Sequence, residues 1–183
     1  VMTCSFRRSD DDHPPETLMP ILALLLLAAP SPPPPLRACR SDQLRLSLDD
    51  HAGEFNGMSH SGTELSIRNI GPDCLLDALP KVQLRDARNR GLSAVRQAPR
   101  GMHPGPVMVP VRLAAGHRAA TQIRWIAGPV FPRSQSIRAS KIAVMIGAAT
   151  LSAPLQATLY GPAGQAATFE QIPFHAVEGM AQG

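Results

Sequence analysis

The clearest structural signal in the sequence is residues 62–86, which are GTELSIRNIGPDCLLDALPKVQLRD. Their first part alternates between two faces, one carrying Leu65, Ile67 and Asn69 and the other carrying Glu64, Ser66 and Arg68. A period of two is typical of a β-strand with one buried face. Glycine and proline in residues 69–73 favour a turn, and a second alternating segment begins at Pro80. The stretch therefore predicts two strands, with Cys74 just after the turn that follows the first.

Similar alternation recurs along the rest of the chain. The other alternating or extended segments are residues 44–48, 107–113, 118–126, 141–146, 155–160 and 167–174. The longer loops between them are residues 49–61, 97–106 and 127–139. The 19 prolines and 14 glycines suit a chain with many turns. Roughly seven to nine short strands at this spacing are typical of a β-sandwich or a barrel, with the single tryptophan, Trp125, in the core.

Residues 18–29, LMPILALLLLAA, form the most apolar run of the sequence. Its 12 residues are too few to span a bilayer, which takes roughly 20, but they suit the apolar part of a secretory signal peptide. An uncleaved anchor or a buried N-terminal helix is the alternative. Four prolines in residues 31–35 predict a stiff spacer. We therefore predict a disordered lead-in, a signal segment and a spacer over residues 1–35, and a β-sandwich domain over residues 36–183.

The three cysteines fit export. Cys4 precedes the predicted signal segment, so the mature chain would keep Cys39 and Cys74. Oxidation is expected outside the cytosol, and we predict a structural disulfide that joins these two residues. Two unpaired buried thiols are the alternative. Residues 36–39, LRAC, also faintly resemble a lipoprotein cleavage box, which would place a lipid on Cys39.

The charges of the sequence are modest and dispersed. The formal net charge is +4, and the basic side chains occur singly along the predicted strands, as at Arg45, Arg68, Arg85, Arg112 and Arg124. This pattern favours solvated strand faces, with an anionic glycan, lipid or nucleic acid partner as the alternative. Because the sequence has neither a basic run nor interleaved aromatic residues, we predict no nucleic acid partner.

Sequence motifs for catalysis are missing. The sequence contains no nucleophile elbow, no Ser-x-x-Lys and no phosphate-binding or dinucleotide-binding loop. We therefore predict that the protein is not an enzyme and needs no cofactor. Methionine and histidine are the ligand types of exported copper sites, which gives an alternative prediction of a periplasmic copper site built from Met58, His60, Met102, His103 and His117.

The sequence resembles a known family of exported bacterial proteins and lipoproteins, domain-of-unknown-function family 4232. The resemblance rests on a leading Cys39, an Asn-x-Gly at residues 69–71, Cys74, and Pro-x-Val-x-Leu-x-Asp at residues 80–86. A later alternating strand at residues 116–125 is also similar. The resemblance implies an immunoglobulin-like two-sheet antiparallel β-sandwich with a disulfide, and it implies no activity.

These expectations combine into one functional prediction. We expect an uncharacterised binding or interaction module, secreted or located in the periplasm or at the cell surface, with no transmembrane span in the mature chain. Its partner would be a protein, a glycan or a small molecule. Since a rigid sandwich leaves its loops free to vary, recognition is expected at loops 49–61, 97–106 and 127–139.

Overall fold

The fold is all-β, as the sequence predicts. The structure is a computed structural model that describes residues 35–97 and 108–177. Its strands are β1 (Leu44–Asp49), β2 (His60–Asn69), β3 (Cys74–Leu76), β4 (Val82–Arg85), β5 (Ala94–Gln97), β6 (Val111–Leu113), β7 (Arg118–Ile126), β8 (Ser134–Ile146), β9 (Ala149–Pro162), β10 (Ala167–Gln171) and β11 (His175–Val177). Short 3-10 helices occupy Ser41–Gln43 and His51–Gly53. The predicted signal segment lies outside the described residues.

The strands form three sheets, and none of them closes into a barrel. The largest has the order β1-β2-β7-β10-β5, with β11 pairing the free part of β7. The second has the order β4-β8-β9, and the third is the pair β3-β6. Pairing is antiparallel throughout the described strands except between β5 and β10, which run parallel. This parallel pair is a departure from the purely antiparallel prediction.

The alternation of residues 62–86 produces the predicted inward faces, but Ser66, which the sequence predicts on the opposite face of β2, is also buried, at 6% exposed. On β2, Leu65 and Ile67 are fully buried, whereas Arg68 is exposed. The second predicted strand is β4, whose Val82 and Leu84 are buried. The structure adds a short strand, β3, that begins at Cys74 and pairs with β6.

One hydrophobic core joins the inner faces of the sheets. The large sheet contributes Leu44, Leu65, Ile67, Ile123, Trp125 and Phe169, and the β4-β8-β9 sheet contributes Leu84, Ile142, Val144, Leu155 and Leu159. Trp125 is 6% exposed, so the prediction that it lies in the core is confirmed. Burial of these apolar side chains supplies the main driving force of the fold.

The largest difference from the predicted strands is at β8. The sequence predicts a loop over residues 127–139, but β8 begins at Ser134 and pairs with β9 as far as Ser134↔Pro162. Residues 134–138 are polar or only partly buried. Their strand conformation therefore comes from the hydrogen bonds with β9 rather than from an apolar face. No helix within the described residues is long and apolar enough to cross a membrane.

Candidate functional site

The long β2–β7 pair has two contrasting ends. At one end His60 pairs with Ile126, and at the other end Arg68 pairs with Arg118. We call the first the loop end, because loop 49–61 leads into it and residues 127–133 follow from it. We call the second the disulfide end, because Asn69 there leads through a turn to Cys74, which is bonded to Cys39.

Two of the three predicted recognition loops meet at the loop end. The amide of Ala127 donates a hydrogen bond to the carbonyl of Ser59 over 2.7 Å, which ties the two loops together. The third, 97–106, lies outside the described residues apart from Gln97, the last residue of β5. Since β5 is parallel to β10 and therefore antiparallel to β7, its chain direction at Gln97 is away from the loop end.

Loop 49–61 contains an unusual concentration of left-handed backbone. Among its non-glycine residues, φ is positive at His51 (48°), Ala52 (54°), Met58 (42°) and Ser59 (68°). Outside this loop, Asn89 is the one further described non-glycine residue with positive φ. Left-handed backbone costs a non-glycine residue about 1–2 kcal/mol, and such strain tends to occur at functional sites.

Acidic side chains hold the first strained turn. An oxygen of Asp49 accepts a hydrogen bond from the amide of His51 over 2.8 Å, and an oxygen of Asp50 accepts one from the amide of Ala52 over 3.2 Å. Farther along, the hydroxyl of Ser61 donates to the side-chain oxygen of Asn56 over 2.5 Å. The loop is thus fixed by its own polar side chains, as expected where Asp and Ser replace ladder hydrogen bonds.

A cleft of about 490 Å³ lies between loop 49–61 and β9. Its apolar lining comes from Leu48, Trp125, Pro154 and Leu155, and its polar lining comes from Asp49, Asp50, Asn56, Ser61, Thr63 and Gln156. The exposed surface of this cleft is more polar than apolar, so it offers hydrogen-bonding groups beside a smaller apolar area. The described lining residues include the acidic Asp50 and no basic residue, so the cleft suits a neutral or cationic ligand better than an anion.

A second recess, of about 320 Å³, lies on the outer face of β2 and β7. His51 approaches Glu64 there, with 3.3 Å between Nε2 and the nearer carboxylate oxygen, and Phe55 lies close to Gly62. A Cβ at Gly62 would be 2.6 Å from the carbonyl oxygen of Ile123 and 3.1 Å from Cβ of Phe55. Only glycine therefore lets the loop pack this closely on the sheet.

The pair of His51 and Glu64 does not form a catalytic triad. The nearby hydroxyl of Ser66 points to the carboxylate of Glu64, over 3.4 Å, and not to the imidazole. Nucleophilic catalysis requires the hydroxyl to contact the histidine that removes its proton. The geometry at this recess does not supply that contact.

The disulfide end is held far more firmly. Cys39 and Cys74 are bonded with their Cα atoms 4.9 Å apart, as the sequence predicts. Beside them, Asn69 is fully buried and uses its whole amide group: its nitrogen donates to the carbonyls of Pro72 and Leu113, and its oxygen accepts from the amide of Gly71. These bonds fix the turn that delivers Cys74 to its partner.

The two described histidines of the alternative copper site do not come together. His60 begins β2 at the loop end, whereas the carbonyl of His117 accepts from the amide of Asn69 at the disulfide end. Nine residues of strand separate these ends, which is roughly 30 Å, so one ion cannot bind both histidines. Met102 and His103 lie outside the described residues, and Met58 is 97% exposed. The described residues contain no group of three or more His, Cys, Asp or Glu side chains placed to hold a metal.

Comparison with known proteins identifies the family. Residues 39–177 match the family described as "Domain of unknown function (DUF4232)". No curated protein and no solved structure matches the chain significantly. The matched region begins at the first disulfide cysteine and ends with the last described strand, so it covers the whole β-sheet structure. The chain therefore belongs to the DUF4232 family.

Proposed function

We propose that the protein is an exported, non-enzymatic binding module whose ligand occupies the cleft between loop 49–61 and β9. The observation that carries this proposal is the combination of a strained, self-braced loop with a cleft of ligand size beneath it. Strain that a fold maintains at one loop is expected where the loop has a defined task. The ligand is a small, uncharged or cationic molecule with both polar and apolar groups.

Export is supported by the disulfide and the apolar run. A bond between Cys39 and Cys74 is expected to persist in the periplasm or at the cell surface of a bacterium, and not in a reducing cytosol. The apolar residues 18–29 provide a suitable signal segment. The finer fold that we assign is an immunoglobulin-like sandwich, because the β1-β2-β7-β10-β5 and β4-β8-β9 sheets share one core.

The cleft has a built-in reporter. Trp125 is the single tryptophan of the chain and lines the cleft, so its fluorescence reports occupancy directly. We expect neutral sugars or primary amines to change this fluorescence in a saturable way, and dicarboxylates of similar size to have no effect. The measurement is a fluorescence titration of the folded, oxidised protein.

Asp50→Asn is the informative variant. An asparagine keeps an oxygen that accepts the amide of Ala52 but removes the negative charge from the rim, so affinity for an amine should fall while the loop stays folded. Asp77→Asn, which removes one exposed carboxylate outside the lining of this cleft, is the matched control. Equal responses to amines and dicarboxylates, or an unchanged affinity in Asp50→Asn, would contradict the proposal.

Export has its own test. The intact mass of the protein recovered from the periplasm should lack the signal segment and lie two hydrogens below the mass after reduction. A full-length chain with three free thiols would refute the assigned compartment without bearing on the cleft.

A further inference from the structure

Three arginines stand side by side at the disulfide end of the large sheet. The register pairs Arg45 of β1 with Arg68 of β2, and Arg68 with Arg118 of β7. All three side chains are exposed and lie on the outer face. Neighbouring strands are about 4.8 Å apart, so the row spans roughly 10 Å across the sheet. We call it the arginine row.

The arginine row is not neutralised within the described part of the chain. Arg45 donates to the carbonyls of Asp42 and Leu44, and Arg68 donates to the carbonyl of Gly116; none of the three forms a salt bridge with a described carboxylate. Like charges directly opposite each other on neighbouring strands are destabilising. The fold therefore maintains an unfavourable arrangement that an anionic ligand would relieve.

Two carboxylates that flank this end in the sequence, Asp42 before β1 and Asp73 after β2, are already engaged. Arg40 binds Asp42, and its hydrogen bond is the main cause that holds the pKa of Asp42 below its ordinary value. Arg112 binds Asp73 in the same way, and its hydrogen bond, followed by one from the amide of Ala115, lowers the pKa of Asp73. Both acids thus remain ionised and paired elsewhere at neutral pH, which leaves the arginine row without an internal partner.

The surroundings of the row limit the shape of the ligand. The next row along the strands consists of Ser47, Ser66 and Ala120 and continues to His175 of β11; Ser66 and Ala120 are buried, whereas Ser47 and His175 are exposed. Beyond it stand Asp49 and Glu64, roughly 13 Å from the arginine row. That separation exceeds the Debye length of about 8 Å at physiological salt, so a narrow anion on the arginine row is screened from these acids.

We propose that the arginine row is a binding site for a linear polyanion that carries phosphate or sulfate groups and lies across β1, β2 and β7. Successive anionic groups meet successive guanidinium groups, each of which can make two parallel hydrogen bonds. A flat membrane would have to lie parallel to the sheet to reach all three side chains, because strand side chains stand perpendicular to it. Asp49 and Glu64 would then face the lipid headgroups, so a chain-like ligand fits better than a membrane.

The first test is a calorimetric titration of the oxidised protein with long-chain inorganic polyphosphate at several salt concentrations. With about 0.7 counterions released per contact, three contacts give a log–log salt slope of about 2, or a loss of affinity of about 20-fold between about 50 and 200 mM salt. Dextran sulfate in a parallel titration distinguishes sulfate from phosphate chains, and binding of either polymer with this slope supports the site.

Arg68→Gln should lower the salt slope from about 2 to about 1.4, because one of the three contacts is lost. Its melting temperature should change little, since the relief of a like-charge contact is offset by the loss of the hydrogen bond to the carbonyl of Gly116. Arg118→Gln gives the same test with a side chain that makes no hydrogen bond among the described residues. Arg138→Gln, on the exposed face of β8, is the control and should keep the full slope.

Three results would overturn the proposal. These are no binding of either polymer at low salt, equal affinities in Arg68→Gln and Arg138→Gln, and binding to phosphatidylglycerol vesicles without binding to the polymers. The last result would assign the face to a membrane instead.

Discussion

The chain reversals at the loop end and at the disulfide end of the β2–β7 pair are held in place by different means. Both must reverse the chain beyond a long strand pair. At the disulfide end a covalent bond and the buried Asn69 fix the turn. At the loop end, strained backbone at His51 and Ala52 is braced by exposed carboxylates. Stability is concentrated at one end, and the other end carries the strain and the ligand-sized cleft.

Breaking the disulfide should have the largest effect. The bond closes a loop of 34 intervening residues, and in the chain-entropy account it contributes about 3–4 kcal/mol to the free energy of unfolding. We expect Cys39→Ala with Cys74→Ala to lower the free energy of unfolding by that amount in a urea titration. A loss below about 1 kcal/mol would mean that the disulfide end does not depend on its covalent bond.

Replacing a buried asparagine should have the next largest effect. Asn69→Ala removes three hydrogen bonds and leaves buried backbone groups of Leu113 and its neighbours without partners, which costs about 2–3 kcal/mol. Asn56→Ala, at the loop end, is the matched control. Because Asn56 is exposed and bonds only Ser61 through its side chain among the described residues, its loss should cost less than about 0.5 kcal/mol. Similar losses of unfolding free energy in the two variants would show that the two ends do not differ in stability.

Relieving the strain should have the smallest effect on the free energy of unfolding, and it should raise this energy rather than lower it. Ala52 has a φ of 54°, so Ala52→Gly removes a left-handed penalty of about 1–2 kcal/mol and adds a glycine entropy cost of about 0.5–1 kcal/mol. We expect a net gain in stability of about 0.5–1 kcal/mol by thermal unfolding. Ala163→Gly lies in the β9–β10 turn, where φ is not positive, so this variant should instead lose about 0.5–1 kcal/mol of stability. A loss in both variants would show that loop 49–61 is not strained.

The alternation within each segment predicted which side chains of a strand face inward, but it could not predict the register in which the strands pair. The inward positions of β2 and β7 follow from alternation alone, and so does the burial of Trp125. Arg45 and Arg68 were equally visible in the sequence, yet they looked dispersed, because only the register places them beside each other and beside Arg118. A row across strands is a long-range property that no window of sequence contains.

The same limit explains the errors. Residues 134–139 lack an apolar face along most of their length, so their strand is specified by β9 and not by their own pattern. The parallel contact of β5 with β10 joins segments far apart in the chain. For the candidate site, the sequence indicated loop 49–61 among three loops, and it could not indicate that Pro154 and Leu155 of β9 complete the cleft.

The position of β10 has a consequence for how the chain becomes folded. β10 lies inside the large sheet, between β7 and β5, although nine of the described strands precede it in the sequence. Because Ala94 pairs with Ala167, β5 has no neighbouring strand in that sheet until β10 has been synthesised. Long-range pairings of this kind are slow. A chain emerging from the ribosome or from a translocation channel can complete its N-terminal hairpin early, but its largest sheet stays open until nearly the last strand has arrived.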